Sequence, residues 1–458
     1  MVFGLFTGKC IMAKKGKKKK RKKKNYFLNT LLTFLLVFSS VLILGVLLFL
    51  VWQNTGKKET GKMAGEDPVR DNSAILTENI PQEEPKDLPE TGEAQGQGGL
   101  LAPAPEEGEG EEEPVGKYGE ILADPAYMAE NNIYAKETAN EGEVTLAFGG
   151  DILFDPAYSV MASLLQRSNG IYDSISEDLM DEMKDADIMM INNEFPYSSR
   201  GIPTEGKQFT FRARPESASI LEEMGVDIVS LANNHAYDYG EDAFLDTLDT
   251  LAGIGMPYVG AGRNLEEASK PVYFIAGDIK IAIVSATQIE RLDNPDTKGA
   301  TDDSAGVFRC LNPDRLLDAV REAKENSDFV VVYIHWGTEN TVEVDWAQLD
   351  QAPKIADAGA DLIIGDHPHC LQPIEYVNSV PVVYSLGNFW FNSKELDTCI
   401  VKAVVGEDGL RSLQFIPALQ KGCKTSMLHG EEKARVLNYM RSISPKIDID
   451  EAGFISAR

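Results

Sequence analysis

Cysteine and histidine are both scarce in this chain of 458 residues, which contains only five of each. The cysteines are Cys10, Cys310, Cys370, Cys399 and Cys423, and their spacing matches neither a CxxC pair nor a zinc ribbon. Disulfides among the last four cannot be assigned from the sequence. A domain of roughly 300 residues also buries a sufficient core without cross-links, so a small disulfide scaffold is not indicated.

Acidic residues are absent from residues 1–25, which contain eleven Lys or Arg, whereas the rest of the chain has 33 basic and 72 acidic residues. The formal charge of −28 therefore averages two electrostatically different segments. Charged residues are absent altogether from Phe27 to Trp52. A helix of that length reaches ~39 Å, enough to cross the ~30 Å hydrocarbon core of a bilayer.

A single transmembrane helix is therefore predicted for residues 27–52. A buried core helix would show a polar stripe, and a signal peptide would have an apolar core of only ~7–15 residues before a small-residue cleavage site. Because basic residues flanking a first span stay in the cytoplasm, residues 1–26 should be a cytoplasmic tail and the main domain should be extracytoplasmic. The tail is expected to contact anionic lipid of the cell membrane, and no nucleic-acid partner is expected.

Large apolar side chains are rare between residues 53 and 140, where Glu, Pro and Gly dominate, as in PAPEEGEGEEEP at 103–114. Such a segment cannot bury enough apolar area to offset its ordering entropy, which predicts a disordered acidic linker. From Glu143 onward, short β-rich runs alternate with amphipathic segments, which predicts an α/β domain over residues 141–420. Two hairpins are expected in it, Val272–Ala276 with Lys280–Ser285 and Ile400–Val405 with Arg411–Ile416. A helical extension is predicted for residues 421–458.

Four of the five histidines directly follow apolar, strand-like runs, and carboxylates or amides end other runs of the same kind. Ligands bind beyond the carboxyl ends of strands in open α/β sheets, so these side chains should meet at one edge of one sheet. Each residue alone has an ordinary structural explanation, such as a core histidine, a loop cap or an Asx turn. Their joint occurrence favours one metal or anion site, and Pro368 should hold His367 in an extended conformation there.

The ordered runs GGDILF, NNEFP, LANNHAYDYG, IHWG, GDHPHCLQP and YSLGNF resemble the capsule-synthesis proteins of the CapA type. That family is associated with poly-γ-glutamate capsules and is related to the calcineurin-like metallophosphoesterases. The resemblance extends from Glu143 to Asn392. It implies a four-layer α-β-β-α sandwich with one or two divalent metal ions, such as manganese, iron or zinc, at the strand ends.

The resemblance also implies a role for each matching residue. The metal ligands it implies are Asp151, Glu194, Asn234, His335, His367 and His369. His235 matches the catalytic histidine that protonates a leaving oxygen. Two clamped cations would activate a water near neutral pH, and the imidazole would act as general acid.

One departure from the metallophosphoesterase pattern concerns the first motif, which normally reads Asp-x-His. Here Leu153 stands in the histidine position after Asp151, so one metal loses a nitrogen ligand. Arg212 and Arg214 in FTFRARP, together with Asn388, are the candidate substrate-binding residues.

The function expected from these features is a membrane-anchored, extracytoplasmic role in capsule or poly-γ-glutamate biosynthesis or export, through a metal-dependent, hydrolase-like site. One alternative is a non-catalytic factor that binds polymer or assembles a complex around a degenerate site. Another is a general envelope phosphoesterase. The expected partners are the membrane, an anionic cell-surface polymer and other membrane proteins of a capsule complex.

Overall fold

The computed structural model describes residues 116–290 and 297–458. The predicted cytoplasmic tail (1–26), the predicted transmembrane helix (27–52) and the first part of the predicted linker (53–115) lie outside the described residues. Within the two described ranges, no helix is both long enough and apolar enough to cross a membrane.

The described residues form ten α-helices, two short 3₁₀ helices and nineteen strands. The α-helices are α1 (Gly119–Leu122), α2 (Pro125–Glu130), α3 (Ser159–Leu164), α4 (Glu177–Lys184), α5 (Ser219–Glu223), α6 (Glu241–Gly253), α7 (Leu265–Ser269), α8 (Asp314–Glu325), α9 (Trp346–Ala358) and α10 (Gly430–Ile443). The 3₁₀ helices are Gly170–Asp173 and Pro215–Ala218. The strands are β1 (Ile133–Lys136), β2 (Glu143–Ile152), β3 (Ile188–Asn193), β4 (Ile228–Ser230), β5 (Tyr258–Val259), β6 (Ala261–Gly262), β7 (Val272–Ala276), β8 (Ile279–Thr287), β9 (Gly306–Val307), β10 (Phe329–His335), β11 (Leu362–Asp366), β12 (Ile374–Val377), β13 (Val380–Val383), β14 (Asn388–Trp390), β15 (Leu396–Gly406), β16 (Gly409–Lys421), β17 (Lys424–Met427), β18 (Ile447–Ile449) and β19 (Ile455–Ala457).

Most strands belong to two large mixed sheets. The seven-stranded sheet has the order β1-β7-β8-β10-β11-β13-β12, and the eight-stranded sheet has the order β17-β16-β15-β2-β3-β4-β5, with β14 paired to β2. Strands β8, β10 and β11 are parallel in the first sheet, as are β2 to β5 in the second. Helices connect these parallel strands, as parallel pairing requires, so the predicted α/β class is confirmed.

Three hydrophobic clusters form the core. One contains residues of both sheets, including Phe148 of β2 and Ile281 of β8. A second joins the eight-stranded sheet to α3, α4, α5 and α6, and the third joins the seven-stranded sheet to α8 and α9, where Leu316 and Ile355 are fully buried. Each fully buried large aliphatic side chain contributes about 1.5–3 kcal/mol, so these clusters fix the packing that positions the strand ends.

Both predicted hairpins are confirmed, since β7 pairs with β8 and β15 pairs with β16 in antiparallel register. The prediction that the linker extends to residue 140 is wrong for its last part. Residues 116–140 include α1, α2 and β1, and β1 pairs in parallel with β7, with Ile133 opposite Tyr273. A few apolar residues suffice here because the main chain of an added strand bonds to an existing sheet edge.

The C-terminal residues 421–458 are helical only in α10. They also contain β17, which extends the eight-stranded sheet, and the small antiparallel pair β18–β19. Val436, Leu437 and Met440 of α10 are buried in the cluster that contains residues of both sheets, so this segment completes the core. The four described cysteines are all free thiols.

Candidate metal centre

The predicted ligands follow strands of both sheets, so the expectation of a site on one sheet edge is wrong. Asp151 lies in β2, and Glu194 directly follows β3 in the eight-stranded sheet. His335 ends β10, and His367 directly follows β11 in the seven-stranded sheet. An apolar run has the same appearance in the sequence whichever sheet it joins, and only packing of the two sheets brings these carboxyl ends together.

His335 is the centre of one set of polar contacts and is completely buried. Its Nε2 lies 2.8 Å from Oδ1 of Asn234, 3.0 Å from Nδ1 of His367 and 3.6 Å from Oε1 of Glu194. Its Nδ1 lies 3.0 Å from Oδ1 of Asp366. His335 therefore belongs to a cluster of potential ligands and is not an isolated core histidine.

His369 joins a second set of contacts on the Asp151 side. Its Nδ1 lies 3.0 Å from Oδ2 of Asp151 and 2.8 Å from Oδ1 of Asn388. The other carboxylate oxygen of Asp151 accepts a 2.8 Å hydrogen bond from the side-chain amide of Asn192. The structure thus brings the candidate substrate residue Asn388 into the cluster.

The cluster contains two groups of three ligands each, in which one atom of every residue lies within 4.8 Å of the others. These groups are Glu194 with His367 and His369, and Asp151 with His335 and Asp366. Both carboxylate oxygens of Glu194, and Oδ2 of Asp366, are buried with no hydrogen-bond partner among the described residues. Burying a carboxylate without a partner is costly, and a bound cation would remove that cost. The donor set therefore fits one or two divalent metal ions.

Burial and mutual charge set the protonation of the cluster. Burial raises the pKa of Glu194 and of Asp366 well above the usual range, and the negative charge of Asp151 raises both further. Burial lowers the pKa of His335 to about 3 and that of His367 well below its usual value, which leaves both rings neutral, as ligation requires. For His369, burial alone lowers the pKa, but Glu194 and Asp151 raise it to about 10.

His235 is held by residues that sequence reasoning missed. Its Nδ1 lies 2.7 Å from Oδ2 of Asp238, whose other oxygen accepts a 2.6 Å bond from the buried ammonium of Lys207. The ring of Phe211 packs against the imidazole with centroids 4.3 Å apart. The free Nε2 lies 4.0 Å from Oε1 of Glu194, so it faces the ligand cluster.

Asp366 and two asparagines are the other residues that sequence reasoning missed. Asn233 donates to Oδ1 of Asn192 at 3.1 Å, and its own Oδ1 accepts from the backbone N–H of His235 at 3.1 Å. The bond from Asn233 to Asn192 and the bond from Asn192 to Asp151 together link the ends of β4, β3 and β2. Asp366 had a signal in the sequence, since it precedes His367 at the end of an apolar run.

The turn after β11 has an unusual backbone. His367 has φ 91° and His369 has φ 57°, so the predicted extended conformation of His367 is wrong. Non-glycine residues at positive φ cost of order 1–3 kcal/mol each and persist where packing over-determines them, which is common in functional sites. Here this backbone conformation directs the imidazole rings of His367 and His369 toward the other ligands. Arg212 and Arg214, by contrast, donate no side-chain hydrogen bond to the cluster.

Comparisons with known proteins match this part of the chain. Residues 145–393 match the family model described as bacterial capsule synthesis protein PGA_cap, a range that includes every predicted site residue. The PGA biosynthesis protein CapA of Bacillus subtilis (strain 168) is 34% identical over 217 residues, which cover 46% of this chain and 55% of that protein. The capsule biosynthesis protein CapA of Bacillus anthracis is 30% identical over 275 residues, 58% of this chain and 66% of that protein.

A probable polyglutamine synthesis accessory protein of Mycobacterium tuberculosis is 28% identical over 208 residues, which cover 44% of this chain and 55% of that protein. The chain therefore spans between about half and two thirds of the length of these relatives.

Proposed function

Because the chain belongs to the bacterial capsule synthesis protein family, we propose that it takes part in the biosynthesis or export of a capsule polymer, poly-γ-glutamate. The names of the Bacillus and Mycobacterium relatives, which refer to PGA, capsule or polyglutamine synthesis, support this role. The three hydrophobic clusters support the four-layer order of helices, two sheets and helices that the resemblance implies.

The proposed chemistry is metal-dependent hydrolysis of a phosphoester-like bond. One observation carries it: the Glu194 carboxylate is fully buried, lacks any hydrogen-bond partner in the described part of the chain, and lies among four histidines. The residues that would hold the ions are Asp151, Glu194, Asn234, His335, Asp366, His367 and His369. Manganese, iron or zinc accepts this set of imidazole, carboxylate and amide donors. Bound ions of this kind activate a water and neutralise phosphate charge.

His235 is the proposed general acid. Asp238 holds Nδ1 at 2.7 Å, so the ring keeps a fixed orientation with Nε2 toward Glu194. Burial lowers the pKa of His235 and the charge of Asp238 opposes that effect, so Nε2 can transfer a proton to a leaving oxygen when Asp238 stabilises the protonated ring. Lys207 positions this pair from the other side, because it donates both to Asp238 and to the backbone carbonyl of Asn234.

The proposed location is the cell membrane, with a cytoplasmic N-terminus and an extracytoplasmic main domain. The uncharged residues 27–52 and the basic residues before them support it. Protease protection of the full chain in intact cells tests this orientation. Cleavage of the domain only after permeabilisation would contradict it. Other membrane proteins of a capsule complex are the proposed protein partners.

A non-catalytic polymer-binding or assembly factor is the second candidate function, and Leu153 favours it. This residue stands where metallophosphoesterases have a histidine, and it is 1% exposed in the cluster that contains α3, α4, α5 and α6. No imidazole from the first motif therefore reaches the ligand cluster. A site with one ligand fewer can keep its shape and still fail to activate a water.

The experiment that separates these functions measures metal binding and turnover in the full-length chain, purified in detergent. The protein is stripped with a chelator, titrated with manganese, iron and zinc by calorimetry, and assayed with bis(p-nitrophenyl) phosphate. His367→Ala should abolish both signals. His429→Ala is the matched control, because His429 is the one histidine outside the cluster and is exposed beside Asp178. A metal-free, inert protein that still supports capsule formation after His367→Ala would refute the hydrolase.

A further inference from the structure

Arg212 and Arg214 line a cavity of about 340 Å³ outside the metal cluster. In a chain with a formal charge of −28, seven of the twelve arginines in the described ranges have a carboxylate partner. The paired ones are Arg200, Arg263, Arg309, Arg321, Arg411, Arg435 and Arg458. Within the described ranges, neither Arg212 nor Arg214 forms such a pair. Two arginines that form no ion pair in the described ranges therefore line one cavity.

The position of Arg212 is fixed by contacts that leave its charge available. Its guanidinium carbon lies 4.2 Å from the ring centroid of Tyr239, a cation–π contact. One N–H group donates to the backbone carbonyl of Arg200 at 3.2 Å, and the structure gives the other side-chain N–H groups no acceptor among the described residues. A guanidinium held in this way can offer a planar pair of donors to an anion.

Among the described residues, Asp155 is the only acidic residue that lines this cavity, and its carboxylate forms no ion pair with either arginine. It is 4% exposed, and its two oxygens accept 2.8 Å bonds from the backbone N–H groups of Ala157 and Arg212. Its carboxylate therefore supports the main chain at the cavity wall and forms no ion pair with a guanidinium.

Two chain segments connect the cavity to the catalytic histidine. Arg212 directly follows Phe211, whose ring packs on His235. Tyr239 directly follows Asp238, whose carboxylate lies 2.7 Å from Nδ1 of the same histidine. On both segments the residue that lines the cavity directly follows a residue that contacts His235, and consecutive Cα atoms are only ~3.8 Å apart.

We infer that Arg212 and Arg214 bind an acidic group, a carboxylate or a phosphate, on the substrate unit next to the one at the metal cluster. This inference rests on the proposed function, because it makes the cavity a subsite of that reaction. It also explains how an acidic protein accepts a polyanion. Salt screens the general repulsion beyond ~10 Å, and the two arginines attract the substrate within that distance.

The test measures anion binding without metal, so that it does not depend on the metal cluster. Full-length chain in detergent micelles with excess EDTA is titrated calorimetrically with γ-linked glutamate oligomers of one to six units and, separately, with inorganic phosphate. We expect saturable binding of one probe class, and the class that binds identifies the acidic group. Arg212→Gln and Arg214→Gln should each weaken binding about 10-fold, because each removes a charge-assisted hydrogen bond. Arg315→Gln is the matched control, since Arg315 of α8 is exposed and also has no carboxylate partner in the described ranges.

Unchanged affinity in the Arg212/Arg214 double variant, equal weakening in the control, or no binding of either probe would each overturn the subsite. Arg214→Gln keeps the test decisive if Arg212→Gln fails to fold, because Arg214 is exposed and its side chain forms no hydrogen bond within the described part of the chain. Metal titration of the double variant should match the wild type. If His367→Ala leaves metal binding unchanged, the proposed metal site fails independently of this result.

Discussion

Glu194→Gln should change stability in opposite directions with and without metal. The substitution keeps the shape of the side chain and replaces a carboxyl that is 0% exposed and unpartnered among the described residues with an amide that cannot ionise. Above the unfolded-state pKa of this carboxyl, the folded wild type must either bury a charge without a partner or take up a proton, and the amide avoids both costs. In EDTA the variant should therefore unfold at a higher denaturant concentration than the wild type.

The difference in stability between the variant and the wild type should also depend on pH. Burial and Asp151 raise the folded-state pKa of Glu194 above its unfolded value, so the folded chain holds a proton that the unfolded chain releases. The stabilisation that this carboxyl contributes is fully present below its unfolded-state pKa and is lost as pH rises toward its folded-state pKa. The free energy of unfolding then falls by up to about 1.4 kcal/mol per pH unit. Without metal, the advantage of the variant should therefore grow as pH rises from about 4.

With metal bound, the wild type should be more stable than the Glu194→Gln variant. A ligand at one hundred times its Kd stabilises a folded protein by about 2.7 kcal/mol, and an amide in place of Glu194 forfeits much of that gain. The assay is urea unfolding of the full-length chain across pH, with EDTA or with manganese. Asp328→Asn is the control, because Asp328 accepts bonds from Lys117, Tyr118 and the backbone of Lys280, and its loss should destabilise in both conditions. A Glu194→Gln protein that is less stable than the wild type in EDTA would refute the reasoning.

Two further substitutions test the geometry around the cluster. Asp238→Asn removes the charge that orients His235 and should lower phosphodiester turnover by about 100-fold with metal affinity unchanged, whereas a parallel loss of metal would show a structural role instead. Gly150→Ala should lower the thermal midpoint, because a Cβ there would lie 1.8 Å from the carbonyl oxygen of Gly387 and overpacking costs about 1–3 kcal/mol. Gly253→Ala, which meets no atom within 4 Å, should melt like the wild type, and an equal loss in both variants would contradict the role of close contact.

The sequence predicted the candidate ligands better than their arrangement. Asp151 and His335 were identifiable because a polar residue at the end of an apolar run is a local feature. Which sheet each run joins is not local, so the pairing of ligands across two sheets could not be deduced. Lys207 had no signal at all, since its contact with Asp238 joins residues 31 positions apart through a loop without periodicity. Asp366 could have been found, because it shares its motif with His367.

The carboxylate of Asp366 also bears on the missing histidine of the first motif. Leu153 is buried in the core, and the third member of the group around Asp151 and His335 is Asp366, an oxygen ligand. The cluster then offers three carboxylates and three imidazoles, a donor set that manganese, iron and zinc all accept. In the absence of metal, Glu194 and Asp366 hold protons because burial raises their pKa values. A bound cation must displace those protons, so the affinity of the cluster for metal should rise with pH.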